Sequence, residues 1–167
     1  EEAIRTRRTH KAYVPEPIDR ETLDELFELA RWTPNHHLTN PWRFRVLGRQ
    51  ALERLKVAVD DPVAAAKLDR TPTLVVVSAT QSGDPVADEE DLLATGVASY
   101  IVLLAAHGRG LGGYWRTPEI LRTHAGRAAL QIPDNERVVG LLHLGRPRQE
   151  PRTPERAPVH DVAMYLD

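Results

Sequence analysis

The sequence predicts an α+β fold. Helical and extended segments are mixed along the chain without regular βαβ alternation. Two strong strand signals, 73–79 and 137–144, lie far apart. Between them a helix over 88–107 is apolar almost all the way round, which marks it as a buried central element.

Each element has a local reason. Residues 1–8 read as the end of a helix, with Glu1 and Glu2 near its start and Arg5, Arg7 and Arg8 near its end, as the helix dipole favours. Residues 9–18 are extended and hold Pro15 and Pro17. Asp19 is a good N-cap for a helix over 20–32, whose apolar face is Leu23, Leu26, Phe27 and Ala30. Pro34 stops it, and 33–41 is a polar loop. A strand follows over 43–47, a helix over 50–59 (Leu52, Leu55, Val59) and a second short helix near 62–68. Residues 73–79 are β-branched and bounded by Pro72. Residues 83–91 are acidic and turn-rich. The central helix carries Leu92, Leu93, Val97, Tyr100, Ile101, Leu103, Leu104 and Ala105, and Gly108 and Gly110 end it. A short strand over 111–115 leads to Thr117-Pro118, which predicts a helix start running to about 125. A turn over 130–135 precedes the strand 137–144. Four prolines then mark 146–158 as a linker, and 159–166 regains apolar character as a terminal strand or short helix.

At 167 residues the chain has the length of one domain, and 41% hydrophobic with 28% charged residues is globular. Twenty-two basic against 24 acidic residues argues against a dedicated nucleic-acid binder. All but three of the basic residues are arginine, the side chain best suited to gripping phosphate with two donors. The absence of cysteine excludes disulfides, thiolate metal sites and a cysteine nucleophile. The longest apolar run, about 97–106, is too short for a bilayer, no signal peptide is visible, and a cytoplasmic location is expected.

Four motifs invite a chemical reading. Gly108-Arg109-Gly110-Leu111-Gly112-Gly113 fits G-x-G-x-x-G, but a dinucleotide fingerprint follows a strand and opens a helix, and here the order is reversed. The glycines instead cap a helix and permit close backbone packing. Seven histidines show no metal-ligand spacing, and no metal site is expected; His36 and His37, adjacent in an extended loop, should point to opposite sides. No G-x-S-x-G accompanies the three serines, against a hydrolase. The fourth is a scattered anion site: Arg7-Arg8-Thr9 at a helix exit, with His10 and Lys11 beside it, and Trp115-Arg116-Thr117 at a strand end. Arginine forks and hydroxyls are what a terminal phosphate needs, although Arg7 and Arg8 alone would read as a solvated helix end.

These segments recur in one arrangement. Arg7-Arg8-Thr9, then Ala30-Arg31-Trp32-Thr33-Pro34-Asn35-His36, then Asn40-Pro41-Trp42-Arg43-Phe44 resemble the opening of the nitroreductase family. Leu103 to Ala106 with Gly108-x-Gly110-Leu111-Gly112 and Trp115 resemble its central-helix and glycine pattern. Ile132-Pro133 and the run from Val138 to Pro147 resemble its closing strand. The likeness covers nearly the whole chain in order and is closest to the short, single-domain branch.

The resemblance implies residues 1–167 as one nitroreductase-like domain: a central mixed or antiparallel sheet flanked by helices, a buried central helix at a homodimer interface, and 146–167 as an extended C-terminal arm. It implies FMN as cofactor, with NADH or NADPH as co-substrate and nitroaromatics, quinones or similar small molecules as acceptors. Arg7, Arg8 and Thr9 would hold the FMN phosphate and ribityl chain, Thr9 keeping the hydroxyl of the usual serine. Trp32 and His36 would come from the other subunit. Trp115, Arg116 and Thr117 would close over the cofactor, and Ala105, Ala106, His107, Gly108, Arg109 and Gly110 match the nicotinamide-binding stretch. One stacking site used in turn implies ping-pong kinetics, with His36 as proton donor or flavin hydrogen-bond partner. A flavin-storage protein, a reductive dehalogenase and a flavin-fragmenting enzyme are the alternatives within reach of the same residues.

Overall fold

The computed structural model describes residues 1–166. Ten regular elements follow one another: α1 Glu2–Thr6, α2 Arg20–Ala30, β1 Trp42–Val46, α3 Arg49–Val57, α4 Pro62–Ala66, β2 Thr73–Thr80, α5 Pro85–Gly108, β3 Gly112–Arg116, α6 His124–Ala129 and β4 Glu136–Gly145. The four strands form one wholly antiparallel sheet in the order β1-β2-β4-β3.

Strand β2 is central and buried on both faces, which explains its unbroken apolar run. Val75 and Val77 face a core shared with α2 and α5 (Leu26, Ala98, Val102, Leu142). Leu74 and Val76 face a second core with Leu55 of α3, Leu121 and Leu141. Between Val77 and Ser78 the register with β4 slips, so Val139 has no strand partner, and its carbonyl receives the Trp115 indole N–H at 3.4 Å.

Several expectations are corrected. Helix α5 begins at Pro85, inside the stretch read as turn-rich, because the Asp84 carboxylate accepts from the Val86 and Ala87 amides. The helix expected from Thr117 is broken: Glu119–Arg122 is a 3-10 turn, and Thr123 rather than Thr117 caps the following α6, accepting from the Gly126 amide. Residues 159–166 hold only a 3-10 turn, Val159–Asp161. His36 and His37 do not diverge: their rings stack with centroids 3.9 Å apart, because His37 turns into the left-handed region at φ 52°.

Helix α5 is covered on one side only. Its buried face carries Asp91, Ala94, Thr95, Ala98, Ser99, Val102, Leu103 and Ala106, and the Thr95 and Ser99 hydroxyls donate to the Asp91 and Thr95 carbonyls one turn back. The opposite face leaves Leu93, Val97 and Tyr100 exposed. By length and composition alone α5 could cross a membrane, but it packs against α2 and the sheet.

The glycine run after α5 behaves as a cap and a packing seam. Gly110, at φ 72°, ends the helix in a Schellman turn, with Gly110 N donating to His107 O and Leu111 N to Ala106 O. At Gly112 an added Cβ would lie 2.8 Å from His10 Cγ, and at Gly113 2.6 Å from Leu103 Cδ2. The strand is thus glycine-rich because another segment of chain lies directly against it.

Candidate functional site

That segment is the extended stretch after α1. Thr9 bridges to Gly113 of β3, with His10 N donating to Gly113 O, so the stretch runs beside the sheet edge. Further on it meets the chain leaving β4: Val14 N donates to Arg146 O, and Arg148 N to Ala12 O. Residues near the two ends of the chain are clamped together beside β3. Thr6 Oγ1 and His107 Nε2, 2.7 Å apart, tie α1 to the end of α5.

This clamp forms a groove of about 670 Å³ lined by Arg7, Arg8, Thr9, Lys11 and Tyr114, with Arg152 and Arg156 on the far wall and Glu150 as its one acid. Arg7 reaches toward α5, its guanidinium 5.7 Å from the Tyr100 ring centre, and its buried Nε has no partner. Arg8 donates to the carbonyls of Arg5 and Arg7 at the C-terminal end of α1. The His10 Nδ1 is also buried without a partner, and burial, aided by the nearby His107 and Arg7, holds its pKa below the ordinary value.

Lys11 and Tyr114 also line an adjoining cavity of about 170 Å³, completed by Tyr13, Lys67, Arg70, Thr71, Arg116 and His143. Four cations and no carboxylate surround it. Among the described residues none of the four forms an ion pair. At its back, Tyr114 and His143 are register partners on neighbouring strands. His143 is 3% exposed, and its Nδ1 lies 2.6 Å from Thr71 Oγ1. The Nε2 is buried and unpartnered. Burial first, and the Arg116 charge second, push its pKa down to about 4, so the ring is neutral at neutral pH. Burial likewise pushes the Tyr13 phenol up; its hydroxyl donates to the His10 carbonyl at 2.7 Å.

The expected site residues are thus partly gathered. Arg7, Arg8 and Thr9 share the groove, and Arg116 stands in the adjoining cavity. Trp115 is half-buried and packs toward α5, beside Gly96. Thr117 lines only a small crevice with Val138 and Val139. In the stretch 105–110, His107 and Gly110 open with Arg8 onto a depression under 147–153. Ala106 is fully buried, and Arg109 is engaged with Glu25 of α2 at 3.1 Å. Trp32, 76% exposed, and His36 lie on the loop after α2 and line neither the groove nor the cavity within one chain. Sequence reasoning passed over Lys67, Arg70, Tyr114 and His143. The register of β3 on β4 sets Tyr114 against His143, and the turn before β2 brings Lys67 and Arg70 to them, although a histidine inside an apolar strand was a visible signal.

The profile of the nitroreductase family matches residues 4–66 and 53–146. The chain belongs to the nitroreductase family. Among its relatives is YfhC of Bacillus subtilis, provisionally named an NAD(P)H nitroreductase, 27% identical over 173 residues, covering 95% of this chain and 89% of that one. A nitroreductase-like family protein from Bacillus cereus has the same fold at TM-score 0.90 and 22% identity, covering 99% and 94% of the two chains. An NADPH:FMN oxidoreductase from Vibrio harveyi, solved with NAD+, matches at TM-score 0.85 and 19% identity, covering 99% of this chain and 76% of that one. The expected family and α+β architecture are borne out, and of the two sheet types expected the chain has the antiparallel one.

Proposed function

We propose that this nitroreductase-family chain is an FMN-dependent NAD(P)H oxidoreductase that reduces nitroaromatic, quinone or similar acceptors by a ping-pong sequence. The observation that carries the reading is the convergence of cations on a groove and an adjoining cavity, together with three buried donor or acceptor atoms, on Arg7, His10 and His143, that have no partner in the protein. Buried polar atoms are rarely left unpaired, so such a cluster marks where a polar ligand belongs. The relative from Vibrio harveyi, named for FMN and solved with NAD+, supports the same ligand class.

In this reading Arg7, Arg8 and Thr9 hold the FMN phosphate and ribityl chain, with charge-assisted hydrogen bonds as the main source of affinity. Of the three residues expected to close over the cofactor, Arg116 lines the cavity, while Trp115 and Thr117 flank it from the α5 side of β3 and from the crevice at Val138 and Val139. When bound, the flavin supplies the group that takes hydride from NAD(P)H and passes it on. Lys11, Lys67, Arg70 and Arg116 stabilise negative charge arriving in their cavity, and the neutral His143 keeps its Nε2 available there. The segment 105–110, through His107 and Gly110, borders the nicotinamide. Trp32 and His36 enter from the second subunit of a homodimer. The exposed apolar face of α5 and the exposed Val162, Met164, Tyr165 and Leu166 of the arm at 146–167 are the surfaces that such a subunit would cover. The expected location is cytoplasmic.

The decisive experiment starts with purification and FMN loading. The protein should be yellow or take up FMN stoichiometrically. It should then oxidise NADH or NADPH only when a quinone, nitroaromatic or enone acceptor is present. Colourless protein that cannot be loaded ends the proposal. A stoichiometric complex without NAD(P)H oxidation indicates a flavin-storage role instead.

A further inference from the structure

We propose that Glu90 is a positioning residue, which fixes the tautomer and direction of the His36 ring and so presents its Nε2 to the site. The inference rests on the reading of His36 as a site residue given above.

The loop after α2 is held in an unusual shape. His37, Leu38 and Asn40 have φ of 52°, 53° and 48°, a region that non-glycine residues occupy only when their surroundings hold them there. The surroundings are identifiable. Asn35 Oδ1 receives the Asn40 amide at 2.9 Å, and Thr39 Oγ1 donates to Asp91 Oδ1 at 2.5 Å, where Asp91 is buried on α5. Arg43 on β1 donates to the Asn40 carbonyl at 2.9 Å. These bonds secure the backbone without Glu90.

One turn-forming backbone therefore has a second tie to α5 that it does not need for its shape: His36 Nδ1 lies 2.7 Å from Glu90 Oε2. A carboxylate only accepts, so Nδ1 must carry the proton. The nitrogen opposite, Nε2, is then bare on the neutral ring and becomes the donating nitrogen on the charged one. The His37 ring stacked on the other side, 18° from parallel, limits rotation. The charged and titratable groups around the ring are thus His37, Glu90, Asp91, which is already engaged with Thr39, and Arg43, which is turned to backbone carbonyls. Of these only Glu90 bonds the ring. The arrangement gives Nε2 a fixed bearing, with the carboxylate behind the ring keeping the proton of the neutral form on Nδ1.

The test uses the full chain labelled with 15N-histidine. The neutral His36 ring should show the Nδ1–H tautomer. Glu90→Gln replaces an obligate acceptor with a group that can also donate to Nδ1, so the Nε2–H tautomer should gain population. FMN affinity and melting temperature should stay unchanged, while kcat for acceptor reduction falls by roughly tenfold or more with little change in KM. Glu90→Asp should recover part of the loss. A wild-type ring protonated on Nε2, or a Glu90→Gln protein with unchanged tautomer and unchanged kcat, overturns the proposal. If the chain never takes up FMN, the functional reading fails, and the tautomer measurement still decides the role of Glu90.

Discussion

Arg45 grips Glu136 with both terminal guanidinium nitrogens, at 2.6 Å and 2.8 Å from the two carboxylate oxygens. The pair bridges β1 and β4 over the central strand, and Ser78 of β2 donates to the same carboxylate. Glu136 is 5% exposed. Burial alone would raise its pKa, but the bonds from Arg45 and Ser78 and the Arg45 charge hold it below the ordinary carboxylate value. Arg45→Ala leaves a buried carboxylate without its counter-charge, held by Ser78 alone, and should cost about 3–5 kcal/mol in chemical denaturation. A depressed folded pKa means that the contribution is present above the unfolded pKa and is lost as pH falls through the folded value. The variant should therefore also lose that acid-side dependence.

His143 acts in a different pH window. Its folded pKa of about 4 lies below the ordinary 6.5, so between these values the unfolded chain binds a proton that the folded chain refuses. Stability should fall as pH drops from 6.5 to 4, by on the order of 3 kcal/mol. Below 4 this contribution levels off. His143→Leu should flatten the slope in that window, which melting curves across pH would reveal.

Arg116 stands unpaired in the cation-lined cavity. Arg116→Ala should weaken FMN by about 1.5–3 kcal/mol, the worth of a hydrogen bond to a charged group. Fluorescence titration of apoprotein measures it directly, and an unchanged affinity would remove Arg116 from the site.

On the open face of α5, Leu93 and Val97 are 65% and 47% exposed. Sedimentation should find a dimer for the wild type. Replacing both residues by Glu should give a folded monomer that retains neither stoichiometric FMN nor acceptor reduction.

Gly140 faces the other flank of β3. A Cβ there would lie 2.2 Å from Trp115 Nε1 and 2.8 Å from the Arg116 carbonyl. Gly140→Ala should destabilise the protein by about 1–3 kcal/mol and shift the tryptophan emission.

The sheet and its helices were legible because their causes are local. Asp19 capping α2 and the β-branched run of β2 act within a few residues, and both elements form where expected. Thr117-Pro118 misled because a cap motif six residues on, at Thr123, had its own partner in Gly126. Arg7, Arg8 and Thr9 were visible as a motif. Their neighbours Lys67, Arg70 and His143 were not, since the cavity depends on strand pairing between residues far apart in sequence. The stacking of His36 on His37 was hidden for a related reason: a left-handed backbone imposed by Asn35 and Asp91 reverses what adjacency alone suggests.

The hydrogen bond from Arg148 to Ala12 carries a consequence for biosynthesis. One wall of the groove comes from residues 7–12 and the other from residues 149–156, so the two meet only after the sequence between them has been made. While the ribosome is still adding residues before 148, helices and early strand pairs can form, but the groove cannot close. The groove therefore closes only once residue 148 has emerged, and until then a nascent chain carries Arg5, Arg7 and Arg8 without that cover.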